Sequence, residues 1–90
     1  MSEDDEKIRL DKWLWFARVV KTRSIAQDLA NAGHVRINGQ RANGAAKTVR
    51  IGDVLTIALP SRARVLKVLD TAERRGPAVE AVKLYKELGT

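Results

Sequence analysis

Four cations in the first half of the chain lie where secondary structure alone does not favour them. Lys21 and Arg23 flank the predicted start of a helix, whose dipole places positive charge at that end. Arg36 and Arg41 are predicted to face each other across a hairpin turn, and like charges opposed in this way destabilise a sheet. A bound anion would remove both costs, because the free N–H groups of a helix N-terminus already suit phosphate. The pattern therefore indicates a site for a polyanion such as nucleic acid.

The polar residues around these cations form two candidate phosphate sites joined by a hydrogen-bonding stripe. The first site consists of Lys21, Thr22, Arg23 and Ser24. The stripe consists of Gln27, Asn31 and His34. The second site consists of Arg36, Arg41 and Lys47. Side chains of the stripe can hydrogen-bond sugars or bases between the phosphates. The alternative is an ordinary soluble surface, on which water solvates the arginines at little cost. The coincidence of both features beside one polar stripe favours the binding interpretation.

Two amphipathic helices are predicted to position these residues. The first covers residues 9–18 and the second residues 23–32, and in both the apolar side chains recur at three- and four-residue spacing. Thr22 is the predicted N-cap of the second helix, and a Ser24–Gln27 capping box is the alternative. The predicted buried face of the second helix consists of Ile25, Ala26, Leu29 and Ala30.

An Asn-Gly pair after the second helix is the strongest short signal for a β-hairpin. With Asn38 and Gly39 as its central residues, Arg36 is paired with Arg41 on the face opposite Val35. Two further strands are predicted at residues 54–59 and 64–69. In the last part of the chain, the segment after Gly76-Pro77 has an apolar stripe that predicts a helix reaching Leu88.

Composition restricts the class of protein. The 90 residues suffice for one small domain, and a hydrophobic share of 44% can form a packed core. No Cys and one His exclude a disulfide framework and the common zinc sites. The sequence contains no signal-peptide pattern, no apolar run of membrane-spanning length and no catalytic or phosphate-loop motif. We therefore expect a cytoplasmic protein that is not an enzyme, with no cofactor, no metal and no membrane association.

Charge is distributed unevenly along the chain, whose net charge is +6. Residues 7–50 contain ten Lys or Arg and two acids, a balance typical of nucleic-acid binding. The first six residues contain four acids and no base. Two interpretations of this acidic start stay open: it competes with phosphate for the basic surface, or it is a solvated tail that favours the first helix.

Three segments resemble the RNA-binding domain named after small-subunit ribosomal protein four. They read RLDKWL from residue 9, KTRSIAQDLANAGHVRINGQRA from residue 21 and VRIGDVLTI from residue 49. The resemblance implies an α+β fold in which two helices pack on a small antiparallel sheet, to which the predicted C-terminal helix is added. It also implies RNA contacts from Arg9 and Lys12 in the first helix, from the second-helix residues of the first site and the stripe, and from His34 and Arg36 in the hairpin.

A narrower resemblance links the chain to the family of bacterial ribosome-associated heat-shock protein fifteen. The segments that carry it are DKWLWFARVVKTRS and ERRGPAVEAVKLY. That family binds the large ribosomal subunit when translation has failed and a nascent chain on tRNA remains attached, and it is thought to help recycle such subunits. The resemblance implies large-subunit ribosomal RNA, and also tRNA, as partners of this chain, which we expect to be a monomer.

The sequence predicts three regions along the chain. Residues 1–8 form an acidic stretch, residues 9–70 an RNA-binding domain with its motif core at residues 9–57, and residues 71–90 a C-terminal helical extension. Three alternatives stay open. Paired basic helices also occur in DNA-binding modules. The same domain serves as a targeting module on RNA-modifying enzymes such as pseudouridine synthases. Trp15, if exposed, can stack on a base or serve a protein–protein adaptor, whereas partial burial under the last helix makes it structural.

Overall fold

The computed structural model describes residues 7–72 and 75–89. In chain order its elements are β1 Lys7–Arg9, α1 Leu10–Phe16, α2 Arg23–Asn31, β2 Val35–Ile37, β3 Gln40–Arg41, β4 Thr48–Arg50, β5 Val54–Ala58, β6 Ala63–Val68, α3 Ala78–Ala81, a 3₁₀ turn Val82–Leu84 and β7 Tyr85–Gly89. Strands β1 and β4 pair as a ribbon, and the other strands form an antiparallel sheet in the order β3-β2-β5-β6-β7. The predicted α+β fold is confirmed. The four acids of the first six residues lie outside the described residues.

Local signals set both ends of α2. The Thr22 side-chain oxygen accepts a hydrogen bond of 3.1 Å from the Ile25 N–H, so the predicted N-cap is confirmed and the Ser24–Gln27 capping box is not formed. Gly33 has a φ of +83°, a conformation that ends helices and favours glycine. The predicted buried face is wrong at Ile25, which lies in the first turn of α2 and is 43% exposed.

The hairpin between β2 and β3 has the predicted register, with Arg36 opposite Arg41. Asn38 and Gly39 have φ values of 52° and 86°, as a two-residue turn that matches strand twist requires. The Asn38 side-chain amide donates to the Asp53 carboxylate at 3.1 Å, and its oxygen accepts from the N–H of Val54 at 2.9 Å. These bonds tie the hairpin turn to the start of β5 and fix the direction in which the hairpin projects.

The core lies between the two long helices and one face of the five-stranded sheet. Its fully buried large side chains include Leu10, Trp13 and Leu14 from α1 and Val35, Leu55, Ile57 and Leu66 from the sheet. The Trp13 ring N–H donates to the Asp70 carbonyl at 3.0 Å, and its ring meets the Tyr85 ring edge-on at a centroid distance of 6.4 Å. Trp13 therefore joins the first helix to the C-terminal part of the chain. None of the helices in the described residues is long and apolar enough to cross a membrane.

The predicted C-terminal helix begins after Pro77 but is much shorter than expected. The helix ends at Ala81, and residues 85–89 form β7, which pairs with β6. A helix as short as the predicted one has little stability of its own. The pairing of strands and the burial of Tyr85 against the core therefore determine the structure of this segment. Glu87 in β7 forms an ion pair with Arg64 at 2.7 Å. Hydrogen bonds from Arg64 lower the pKa of Glu87.

Candidate nucleic-acid interface

A buried carboxylate organises the cations at the start of both helices. Asp11 is fully buried, and both of its oxygens accept hydrogen bonds from Arg9, each at 3.1 Å. The same carboxylate accepts from the Gln27 amide at 3.1 Å, from the Arg23 guanidinium at 3.3 Å and from the Lys12 backbone N–H at 2.8 Å. We call the side chains of Arg9, Asp11, Arg23 and Gln27 the Asp11 cluster.

The backbone brings the cluster together at one end of the helical pair. Asp11 lies in the first turn of α1, where the helix dipole favours an acid. Arg23 and Gln27 are four residues apart on α2 and therefore share one face of that helix. One turn further on, the Asn31 side-chain oxygen accepts from the N–H of Ala45 at 3.1 Å. The predicted polar stripe of α2 thus faces the start of α1 and the loop that precedes β4.

The Asp11 cluster keeps one net positive charge at neutral pH. Burial by itself raises the pKa of Asp11, but the hydrogen bonds from Arg9 and Gln27 and the charge of Arg23 outweigh it and hold the pKa below its ordinary value. The side chains of Arg9 and Arg23 stay 44% and 35% exposed. Asp11 engages two N–H groups of Arg9 and one of Arg23, out of five on each guanidinium, so both can still reach an external anion.

The structure corrects the reason given for the cation at the start of α2. The sequence suggested that Arg23 opposes the helix dipole and needs an external anion for compensation. The compensating anion is Asp11, which accepts a hydrogen bond from Arg23 inside the protein. Lys21 differs: it is exposed and forms no ion pair with any described residue. Lys21 and the exposed Ser24 therefore stay as candidate phosphate contacts in front of the cluster.

Two of the three residues of the predicted second phosphate site line a common groove. Arg41 and Lys47 line one surface groove of about 450 Å³, together with Arg50, whereas Arg36 is not part of its lining. Arg41 reaches this position by crossing Gly33, where an added Cβ would come within 3.1 Å of the Arg41 Cδ. Val35, the neighbour of Arg36 in β2, is buried, so Arg36 lies on the side of the sheet away from the core. The exposed His34 precedes that strand.

Sequence reasoning missed three residues of this region: Lys7, Asp11 and Arg50. Lys7 is directly opposite Arg50 on the ribbon, and Arg9 is opposite Thr48. The sequence contained a signal for Lys7 and Arg50. Residues 7–9 (KIR) and 48–50 (TVR) each alternate polar and apolar side chains, as a half-buried strand does. The role of Asp11 had no local signal, because it depends on Arg23 and Gln27, which lie 12 and 16 residues further along the chain on another helix.

Trp15 is covered by a cation of this protein. The Arg75 guanidinium lies 5.4 Å from the Trp15 ring centroid, and its Nε donates to the Trp15 carbonyl at 3.1 Å. The ring also packs against Phe16 at a centroid distance of 5.5 Å. Trp15 is therefore half-buried beneath the segment that leads into α3, in agreement with the structural interpretation of this residue.

Comparisons with known proteins identify relatives of this chain. The chain is 40% identical to the "Heat shock protein 15 homolog" of Haemophilus influenzae over 83 residues, which are 92% of this chain and 63% of that protein. It is 38% identical to "Small ribosomal subunit protein uS4" of Azorhizobium caulinodans over 71 residues, which are 77% of this chain and 35% of that protein. The chain therefore spans less than two thirds of the length of either relative.

A solved structure has the same architecture. The trimeric structure of Vibrio cholerae heat shock protein 15 matches with a TM-score of 0.84 and 41% identity, and the match covers 91% of this chain and 82% of that one. The family model of the S4 domain matches residues 8–55, more than half of the chain, and these residues include the whole Asp11 cluster and the hairpin. The chain belongs to the S4 domain family and is similar to heat shock protein 15.

Proposed function

We propose that this chain binds structured RNA and that its target is ribosomal RNA of the large ribosomal subunit. The observation that carries the proposal is the Asp11 cluster, in which a buried carboxylate holds two partly exposed guanidinium groups side by side. A planar guanidinium held in this way presents its remaining N–H groups in a fixed geometry that suits phosphate. The names of the relatives, a heat shock protein and a ribosomal protein, support a ribosome-associated role.

The proposed RNA contacts surround the Asp11 cluster and continue onto the hairpin. They are Arg9, Lys12, Lys21, Thr22, Arg23, Ser24, Gln27, Asn31, His34, Arg36, Arg41 and Lys47. Thr22 and Asn31 also bond the backbone of the protein through their side-chain oxygens, so they contact RNA through their remaining polar atoms. In the cytoplasm, the protein acts as a heat-shock-type factor that helps recycle large subunits that still carry a nascent chain on tRNA.

Cross-linking to purified ribosomal subunits tests this assignment. The proposal predicts that ultraviolet light attaches the protein to the large subunit, and that the attached RNA maps to one region of its ribosomal RNA. Addition of nascent chain-tRNA to the subunit should increase the yield. Attachment to the small subunit alone, or to both subunits without preference, contradicts the large-subunit assignment.

DNA binding and RNA modification are the competing functions. The one basic residue of α2, Arg23, is its first residue, and the helix ends at a hairpin, so α2 does not offer a DNA-reading face along its length. Hairpin RNA should therefore bind more tightly than duplex DNA at equal salt, and treated RNA should contain no modified nucleoside. The Vibrio cholerae protein is described as trimeric, and native mass measurement tests our proposal that this chain is a monomer.

A further inference from the structure

Three cross-strand positions in the described sheets bring two charged residues directly opposite each other, and each is a pair of cations. The pairs are Lys7 with Arg50, Arg36 with Arg41 and Lys67 with Lys86. Like charges in this arrangement destabilise a sheet. The hairpin pair was expected from the sequence, whereas the pair between β6 and β7 has no role in the proposed site and needs an explanation of its own.

Two of these pairs lie on the same surface of the five-stranded sheet. Lys67 is exposed between buried neighbours in β6, so it points away from the helices. Lys67 is opposite Val54 of β5, and Arg36 is opposite Thr56 of the same strand. Val54 and Thr56 are two residues apart. Because residues two apart in a strand share a face, Arg36 and Lys67 lie on one surface. We call the surface that carries Arg36, Arg41, Lys67 and Lys86 the outer face.

The described residues place no carboxylate on the outer face. Glu87 lies on the other side of the sheet, where it pairs with Arg64 at 2.7 Å. The Asp53 carboxylate is held at the turn before β5, where it accepts from the Asn38 amide and the N–H of Arg50. None of the four cations of the outer face forms an ion pair with a carboxylate of the described residues.

The dimensions and composition of the outer face suit an RNA backbone. Its cations lie on the strand pairs β3–β2 and β6–β7, on either side of β5, so they are separated by about 10–20 Å at the usual strand spacing. Thr56 of β5 lies between the two strand pairs, opposite Val65 of β6. The described aromatic rings lie elsewhere, with Trp13 in the core and Tyr85 against it. A surface of cations without aromatic rings offers few stacking partners for unpaired bases and many charges for phosphate, which favours the backbone of a base-paired stem.

We propose that the outer face is a second RNA-binding surface, which takes the phosphate backbone of an RNA stem between the Arg36–Arg41 edge and the Lys67–Lys86 edge. The inference rests on the proposed function and extends it, because it gives a role to Lys67 and Lys86. The S4 domain match ends at residue 55, so the β6–β7 edge lies outside the matched segment. One protein molecule can then hold RNA on two sides of the sheet.

A pair of double variants with equal charge tests the proposal. Lys67→Gln with Lys86→Gln removes one edge of the outer face. Arg62→Gln with Lys83→Gln removes two exposed cations from a turn and from the 3₁₀ segment, away from both proposed surfaces. Binding of a labelled hairpin RNA is measured across a salt series, and Lys12→Gln with Lys21→Gln serves as the reference for loss of contacts near the Asp11 cluster.

The proposal predicts that the Lys67–Lys86 variant binds hairpin RNA roughly tenfold more weakly and that its salt slope becomes shallower by about 1.4–1.8. The Arg62–Lys83 control should lose no more than about threefold through its lower net charge. The melting temperature of the Lys67–Lys86 variant should stay unchanged or rise, because the repulsion between the two lysines is relieved.

Equal affinity of the two charge-matched variants overturns the outer-face proposal. If in that case the unaltered protein shows salt-dependent RNA binding and the Lys12–Lys21 reference binds more weakly, the proposed function stands alone. If the unaltered protein binds no hairpin RNA, the proposed function and the inference both fail. A Lys67–Lys86 variant that keeps RNA binding but no longer binds poly-glutamate identifies the outer face as a site for an acidic protein segment, and that also overturns the proposal.

Discussion

Replacement of Asp11 by Asn is expected to weaken folding and RNA binding together. The amide keeps the size of the side chain but loses the negative charge that Arg9, Arg23 and Gln27 share as donors. Its NH₂ group is itself a donor and cannot accept hydrogen bonds from them. Removal of one partner from a fully buried ion pair costs 3–5 kcal/mol as a rule. Arg9 and Arg23 can turn toward water, so we expect a smaller loss, of about 2–3 kcal/mol, in the free energy of unfolding measured with urea.

The effect of Asp11→Asn on RNA binding separates geometry from charge. The substitution raises the net charge from +6 by one unit, so charge alone predicts tighter binding. Loss of the fixed guanidinium positions predicts the opposite, a roughly tenfold weaker affinity in filter binding at a temperature where the variant is folded. Leu14→Ala is the control: it removes a fully buried core side chain, costs about 2–5 kcal/mol and leaves the Asp11 contacts in place. RNA affinity of Asp11→Asn equal to or above that of the unaltered protein contradicts the positioning role.

The dependence of stability on pH provides a second readout for Asp11. Its pKa in the folded protein is lowered from the ordinary value of 3.8. A carboxyl of this kind contributes fully to stability above pH 3.8, and the contribution is lost as the pH falls through the lowered folded pKa. The stability difference between the unaltered protein and Asp11→Asn should therefore be constant at neutral pH and shrink in strong acid. Glu87, whose pKa is also lowered, is present in both proteins and does not contribute to the difference.

Arg36→Gln is expected to weaken RNA binding without destabilising the protein, whereas Arg23→Gln should do both. Arg36 is exposed opposite Arg41, so its removal relieves repulsion and changes the free energy of unfolding by at most a few tenths of a kcal/mol, in the stabilising direction. It also removes a charge-assisted phosphate contact worth about 1–3 kcal/mol of binding. Arg23→Gln takes a charged donor from the buried Asp11 and therefore lowers stability by about 1–2 kcal/mol as well.

Melting curves and RNA titrations on the two arginine variants distinguish these outcomes. An Arg36→Gln variant that melts several degrees lower while its RNA affinity stays the same would make Arg36 a structural residue. An Arg23→Gln variant as stable as the unaltered protein would mean that the bond between Arg23 and Asp11 contributes nothing to folding. The sequence alone predicts the same behaviour for both arginines, so the contrast depends on the internal anion.

Elements with strong local signals were predictable from the sequence. The Asn38-Gly39 turn needs positive φ at both positions, and this requirement alone fixed the register that brings Arg36 opposite Arg41. Thr22 caps α2 through a bond to an N–H three residues away, again a local interaction. The candidate cations could be identified for the same reason, since their positions relative to a helix start and a turn are set by neighbouring residues.

Elements fixed by distant partners could not be predicted in this way. The apolar spacing after Pro77 fits a helix, but residues 85–89 gain backbone pairing with β6 and contact between Tyr85 and Trp13 as a strand. Asp11 appears in the sequence as an acid in a first helical turn. Its role becomes visible only when α2 places Arg23 and Gln27 against it. Burial of a polar group among partners separated along the chain is a property of the packed structure.

The salt dependence of hairpin-RNA binding tests the central claim most directly. A protein that neutralises phosphates releases counterions from the RNA, so the logarithm of its affinity falls linearly with the logarithm of the salt concentration. Contacts with about five phosphates predict a slope of roughly −3.5 to −4.5. A slope near zero would contradict the account, because the guanidinium groups of the Asp11 cluster would then bind no phosphate.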